Sequence, residues 1–262
     1  MAASFKNELS FAQKIVEEAG RIALRHFHDG VAAEMKSDNT PVTIADKEVE
    51  QLIRQAIAKQ FPDDEILGEE GCPLPNAATS ASKGRRWIID PIDGTYNFQR
   101  GVPIFTIMLA LEVDGDIVLG FIYNPAAGDL FWAEKNAGAF KNGHKLAVSS
   151  IDNLEESQFN FGAPKRILAR GLWNGFTKLI ASTYRQRGFG DYLSFAYLLE
   201  GKAELALEVG LKPWDLAAVK IIAQEAGGQY YDLNGGESIY TGDCLITNGS
   251  LDELPLKVLL ET

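Results

Sequence analysis

The sequence predicts an α/β fold in two closely packed lobes, and three patterns carry that expectation. Apolar residues recur at helical spacing, short apolar runs end in turn signals as strands do, and no repeat or long biased linker divides the chain. Leu9, Ala12, Ile15, Val16, Ala19, Ile22, Ala23 and Phe27 fall every three or four residues and predict the first helix. Val49, Leu52, Ile53, Ala56 and Ile57 predict a second, with Thr43 as its cap and Asp46 at the third position of a capping box. Ile66-Leu67 reads as a short strand, followed by Gly68-Glu69-Glu70-Gly71 and a polar, Ala/Ser-rich loop over 73–84. Trp87 to Asp90 reads as a core strand, and Gly94-Thr95 as the start of a helical turn. From Phe105 to Ala147, apolar strands broken at Asp114-Gly115, Pro125 to Gly128 and Asn142-Gly143 predict an antiparallel meander that closes the first lobe near residue 148.

The second lobe, about 149–262, reads as alternating helices and strands. Helices are predicted from Gly171 to Tyr184, from Tyr192 to Glu200, from Trp214 to Ala226 and after Ser250. Strands are predicted near Arg187, from Ala203 to Glu208 and, after the stop signal Gly227-Gly228, from Gln229 to Leu233. The lobes belong to a single domain spanning 1–262.

Composition narrows the function classes. With 262 residues, 46% hydrophobic and 23% charged, the chain can bury one large core or two packed ones. A formal net charge of −11 argues against nucleic acid or an anionic membrane surface as partner, so an anionic small molecule needs local cations. No apolar run approaches the roughly 20 residues of a membrane span. Cys72 and Cys244 are too few for a disulfide framework and no signal-like apolar N-terminus is present, which predicts a reducing, cytoplasmic setting.

Acidic residues at the ends of predicted elements carry the chemistry. Glu69 and Glu70 follow one strand, Asp90 and Asp93 follow another across a Pro-Ile turn, and Asp215 opens a helix. Each has an ordinary explanation: a solvated strand end, a turn and cap at Asp90-x-x-Asp93-Gly94, a helix cap at Asp215. Converging on one cleft, however, they would repel unless cations are bound, and an all-oxygen set selects hard ions such as Mg²⁺ or Mn²⁺. His26, His28 and His144 lack ligand spacing and read as surface or packing residues. Lys36 by itself reads as a solvated charge.

Two long segments give these residues a family context. Trp87-Ile-Ile-Asp90-Pro-Ile-Asp93-Gly94-Thr95-Tyr-Asn-Phe98 and Trp214-Asp215-Leu-Ala-Ala-Val-Lys-Ile-Ile-Ala-Gln-Glu-Ala-Gly227-Gly228 resemble the two signatures of the inositol monophosphatase superfamily of metal-dependent, lithium-sensitive phosphatases. Asp38 to Asp46 and Gly68-Glu69-Glu70 extend the resemblance over nearly the whole chain. It implies a layered αβαβα sandwich with the cleft between lobes, two or three Mg²⁺ per site, and homodimers in many members. It also implies roles: Glu69, Asp90 and the carbonyl of Ile92 for a first Mg²⁺; Asp90, Asp93 and Asp215 for a second; and a further ion near Glu69 and Glu70. Thr95, aided by Asp46, would activate the attacking water, with Glu70 among the catalytic groups. Asp93, Lys36 and the backbone N–H groups of Gly94 and Thr95 would meet the substrate. Direct attack by water fits the lack of a Cys, His or Ser nucleophile motif.

Substrate choice rests on the second lobe. Arg185-Gln-Arg187-Gly-Phe-Gly190-Asp191-Tyr192 resembles the bacterial histidinol-phosphatase branch, where the inositol branch has a small neutral lining. Histidinol phosphate carries an ammonium and an imidazole, and Asp191 with Glu208 would pair with such cationic groups, Arg187 orienting Asp191 or steering phosphate. Arg187 and Asp191 could equally form a structural ion pair, and Glu208 suits the inositol branch too. The expectation is a Mg²⁺-dependent phosphomonoesterase acting on histidinol phosphate. Inositol monophosphatase is the alternative, related bisphosphate phosphatases come third, and an inactive divalent-ion-binding module is the reading from another class.

Overall fold

The computed structural model describes residues 5–30, 34–35, 41–71 and 83–261. Lys36, Cys72, residues 38–40 and most of the 73–84 loop therefore lie outside the described residues. Helix α1 (Lys6–Asp29) precedes a short antiparallel pair, β1 (Glu34–Met35) and β2 (Pro41–Val42), and then α2 (Ile44–Gln60). Thr43 caps α2 through a capping box with Asp46, as the sequence predicts.

Next come β3 (Glu65–Gly68), β4 (Arg85–Asp93), the single-turn helix α3 (Thr95–Gln99), β5 (Thr106–Val113), β6 (Asp116–Asn124), β7 (Asp129–Glu134), β8 (Gly138–Lys141) and β9 (His144–Lys145). These seven strands form one sheet in chain order. Strands β3 and β4 run parallel, and every later neighbour is antiparallel, which is the expected meander. Residues alternate between the sheet faces with period two. Trp87, Ile89, Ile107, Leu109 and Leu111 pack among the apolar residues of α1 and α2, whereas Ile88, Met108, Ala110 and Ile122 point to the other side.

The second half contributes β10 (Gln158–Phe161), α4 (Pro164–Ala169), α5 (Trp173–Ser182), β11 (Arg185–Arg187), α6 (Asp191–Leu199), β12 (Leu205–Val209), α7 (Pro213–Glu225), β13 (Gln229–Tyr231), β14 (Asp243–Thr247) and α8 (Leu254–Leu260). Its sheet has the order β11-β10-β12-β14-β13. The chain runs parallel through β11, β10 and β12, and β14 is antiparallel to both its neighbours. The sequence reading left β10, α4 and β14 unassigned. Strand β14 is a five-residue run between Gly242 and Asn248-Gly249, and it lies in the sheet interior because β12 and β13 flank it.

The layers follow from where the apolar faces meet. Helices α6 and α7 are sandwiched between the sheets, with Leu216, Val219 and Ile222 in one cluster with Ile88 and Met108 of the first sheet and Ala206 and Ile246 of the second. The outer face of the second sheet, with Phe159, Leu205, Leu207 and Leu245, packs on Phe176, Leu179, Leu256 and Leu259 of α5 and α8. The result is the layered αβαβα sandwich.

Candidate active site

A break in strand register builds the acidic centre. Asp90 pairs with Met108 and Asp93 with Thr106, so three steps along β4 oppose two along β5. In a regular strand, residues three apart project to opposite faces; the extra residue restores a common side and brings both carboxylates into one cleft. Asp215 joins them from the first turn of α7, where its Oδ2 accepts from the Lys212 N–H at 2.8 Å. Asp90, Asp93 and Asp215 each offer an oxygen, and all lie within 4.8 Å of one another. Asp215 is thus not the N-cap, which is Lys212, but the third helical residue, whose carboxylate reaches back to the Lys212 N–H while keeping its place in the cluster.

Electrostatics make the cluster costly without a cation. Burial, then the charges of Glu69, Asp215 and Asp93, push the Asp90 carboxyl well above the usual range. Burial and the charges of Asp191 and Asp215 do the same to Asp93, although the Tyr192 N–H opposes them by donating to Asp93 Oδ2 at 3.1 Å. Asp90 Oδ1 is buried and, among the described residues, has no hydrogen-bond partner. A buried carboxylate oxygen left bare among like charges is what a divalent cation satisfies, and the all-oxygen set suits Mg²⁺.

Glu69 and Glu70 are held beside this centre through their backbone. The Glu69 N–H donates to Ile89 O at 3.3 Å, continuing the β3–β4 pairing up to Asp90. The buried carboxylate of Glu50 on α2 then accepts from Glu70 N at 2.7 Å, Gly71 N at 2.8 Å and Arg54 Nε at 2.6 Å.

Thr95 and Asp46 also meet. Gly94, at φ +81°, makes the left-handed step from β4 into α3, and a Cβ there would sit 2.9 Å from Ile104 O, so glycine alone fits. The step brings Thr95 Oγ1 to 3.3 Å from Asp46 Oδ1 and 3.0 Å from Ile92 O. Asp46 Oδ2 is engaged by the Thr43 N–H at 2.7 Å and hydroxyl at 2.5 Å, so its capping duty uses one oxygen and the other faces Thr95.

A cavity of about 180 Å³ opens beside the acidic cluster, walled by Asp93, Asp215, Gly162, Arg166, Asp191 and Glu208 among others. Glu208 on β12 is buried, and its Oε1 accepts from Ser194 Oγ of α6 at 2.8 Å. Burial drives its pKa to about 8, with Ser194 and Arg166 pulling it down and Asp191 up. Gly162 faces this carboxylate so closely that a Cβ would lie 2.2 Å from Glu208 Oε1. Arg187 does not take the expected place. It ends the edge strand β11, exposed, with Nη1 on Gln186 O at 2.7 Å, and is not part of the cavity wall. Asp191 is bonded by Asn97 Nδ2 at 2.6 Å instead, and the cation facing Asp191, Glu208 and Asp215 is Arg166. The reason is topological: β11, parallel to β10, is the edge strand of its sheet, whereas α4 follows directly on β10 and places Arg166 in the cavity wall.

Sequence reasoning missed Arg166, Asn97, Ser194 and Glu50. Pro164 at the first position of α4 was a readable helix start that would have drawn attention to Arg166. Asn97 and Ser194 act through contacts 94 and 14 residues away in sequence and leave no local signal. Away from the cleft, His26 pairs with Glu48 at 2.7 Å on the exposed side of α1 and α2. No helix among the described residues is long and apolar enough to cross a membrane.

Comparison with known proteins agrees over almost the full length. The model of the inositol monophosphatase family matches residues 6–261. A histidinol-phosphatase of Chlorobaculum parvum is 40% identical over 241 residues, covering 92% of this chain and 91% of its own. A fructose-1,6-bisphosphatase/inositol-1-monophosphatase of Thermotoga maritima is 33% identical over 259 residues, covering 97% and 96%. The crystal structure of the extragenic suppressor protein suhB from Bartonella henselae superposes with a TM-score of 0.86 at 29% identity, covering 97% of this chain and 99% of that one. Matched nearly end to end in sequence and in fold, the chain belongs to the inositol monophosphatase family of phosphomonoester hydrolases.

Proposed function

We propose that the chain is a Mg²⁺-dependent histidinol-phosphatase, hydrolysing L-histidinol phosphate to L-histidinol and phosphate. The observation that carries the substrate choice is the cavity wall, where Asp191 puts a further carboxylate beside the cluster of Asp90, Asp93 and Asp215. A neutral polyol has no use for this much negative charge beyond the metal cluster, whereas an ammonium and an imidazole do. The identity to the Chlorobaculum parvum enzyme points the same way.

Glu69, Asp90 and the Ile92 carbonyl would hold one Mg²⁺, Asp90, Asp93 and Asp215 a second, and Glu69 with Glu70 a further ion. The Thr95 hydroxyl hydrogen reaches either Ile92 O or Asp46 Oδ1, and the Ile92 carbonyl keeps a lone pair for the ion in both cases. Bound there, the ions would offset phosphoryl charge, acidify water and steady the departing oxygen. Thr95 Oγ1 accepts a hydrogen of the attacking water and relays a proton to Asp46 Oδ1, the oxygen not used in capping α2. The Gly94 and Thr95 N–H groups orient the phosphate. Water attacks phosphorus in line, the ester P–O bond breaks, and the departing oxygen takes a proton from a second solvent water, whose hydroxide then recovers the proton from Asp46, so that histidinol leaves as the alcohol. Asp191 and Glu208 anchor the cationic end, with Arg166 limiting their mutual repulsion.

The test is phosphate release by the purified protein with Mg²⁺ from histidinol phosphate and from inositol 1-phosphate. The expected result is a higher kcat/KM for histidinol phosphate, and a fall in that preference of about tenfold or more on Asp191→Ala, the scale of losing a hydrogen bond to a charged group. A preference for inositol 1-phosphate would instead support the inositol monophosphatase reading, which the Thermotoga maritima relative favours. Turnover of neither would reject both.

Glu50 gives a separate expectation. Glu50→Gln retains its shape but faces an NH₂ toward one of the two N–H groups of Glu70 and Gly71. Loosened Glu69 and Glu70 should weaken Mg²⁺ binding by roughly tenfold, the lower end of outer-shell effects. Calorimetric titration with Mg²⁺ reads this directly, and unchanged affinity would confine Glu50 to structural support.

A further inference from the structure

We infer that Asn97 is a specificity-positioning residue: its amide aims Asp191 at the cationic end of the substrate. This rests on the reading of Asp191 given above. Asn97 lies in α3, on the metal-binding side of the cleft, and Asp191 opens α6 on the opposite side. Asn97 Nδ2 donates to Asp191 Oδ2 at 2.6 Å and to Ile104 O at 3.1 Å. Both partners are acceptors, so both amide hydrogens are committed and the NH₂ can face in only one direction. The short, charge-assisted contact fixes one Asp191 oxygen; among the described residues, Oδ1 takes no hydrogen bond and is left for a ligand.

The backbone at Asp191 points to the same role. Asp191 sits at φ +48°, a left-handed conformation rarely adopted by residues with a side chain. Such strain persists where surrounding contacts over-determine it, and it gathers at binding sites. Two contacts from the first lobe do so here: Asp93 Oδ2 accepts the Tyr192 N–H at 3.1 Å, and Asn97 holds the Asp191 carboxylate. The segment that meets the phosphate and the residue that reads the rest of the substrate are thus joined by one side chain. An alanine at 97 would leave Asp191 charged and in place along the chain but free to turn into solvent.

The experiment measures the ratio of kcat/KM for histidinol phosphate to that for inositol 1-phosphate in wild type, Asn97→Ala, Asp191→Ala and the double variant, with Asn97→Ser as the second substitution should Asn97→Ala not fold. The expected result is a fall in the ratio of about tenfold for Asn97→Ala, carried mostly by KM for histidinol phosphate, and no further fall when Asn97→Ala is added to Asp191→Ala. A merely structural Asn97 would lower turnover of both substrates alike. An unchanged ratio in the Asn97 variants, or additive effects in the double variant, would overturn the inference while leaving Asp191 as the cation receptor. An unchanged ratio in Asp191→Ala would instead remove the reading on which the inference stands.

Discussion

Asp90→Asn is expected to cut Mg²⁺-dependent phosphate release by more than about 1,000-fold, well beyond the 10–100-fold cost of losing an outer-shell partner of a metal ligand. Asp90 is shared by the first and second of the proposed ions, and among the described residues its buried Oδ1 has no hydrogen-bond partner. Asparagine has nearly the same shape, so packing around β4 persists and the loss is one of charge. That charge is unfavourable in the metal-free protein, where burial first and then Glu69, Asp215 and Asp93 raise the Asp90 pKa. The same substitution should therefore leave the melting temperature in EDTA unchanged or raised while abolishing the increase on adding Mg²⁺. Retained turnover, or a Mg²⁺-induced increase as large as in wild type, would show that the cluster is not the metal centre.

In EDTA, the melting temperature is expected to fall as pH rises from 5 to 8, and Mg²⁺ should stabilise most at the upper end. Glu208 titrates near 4.5 without perturbation and at about 8 in the folded chain. Asp90, Asp93 and Asp215 are raised as well. The native state thus binds more protons than the unfolded state across this window, and stability declines with pH. Stated by group, the contribution is fully present below the unfolded pKa and is lost as pH passes through the folded value. Cations that bind the ionised carboxylates reverse the penalty only where the carboxylates are ionised. An increase of about 5 °C or more with Mg²⁺ at pH 8, and less than half of that at pH 5, is the expected scale for a chain of this size. Fluorescence-monitored melts with and without Mg²⁺ measure it; equal increases at both pH values would contradict the pKa pattern.

Much of the fold was legible because its signals are local. The helical spacing of Leu9 to Phe27, the capping box at Thr43 and Asp46, and the turns of the meander each declare themselves within a few residues, and the structure forms them. Strands β10 and β14 did not, because a short strand inside a mixed sheet owes its conformation to neighbours far away in sequence. The same division holds at the site. Asp90, Asp93 and Thr95 share one segment that takes its meaning from the acidic residues elsewhere and the family resemblance, and the structure brings them to Asp46 and Asp215. Arg187 lies near Asp191 along the chain in the segment that carries the branch resemblance, but β11 places it at the sheet edge; Arg166, 25 positions before Asp191, reaches the cavity wall from α4. Charge partners across a cleft are set by topology, which short-range reading does not see.

The middle helical layer has a mechanical consequence. Because α7 shares one apolar cluster with both sheets while its first turn supplies Asp215, the lobes cannot swing apart about a hinge without exposing that cluster to water. The cleft therefore behaves as a rigid jaw of fixed gape. Substrates would then be sorted by what fits between surfaces already at their working distance.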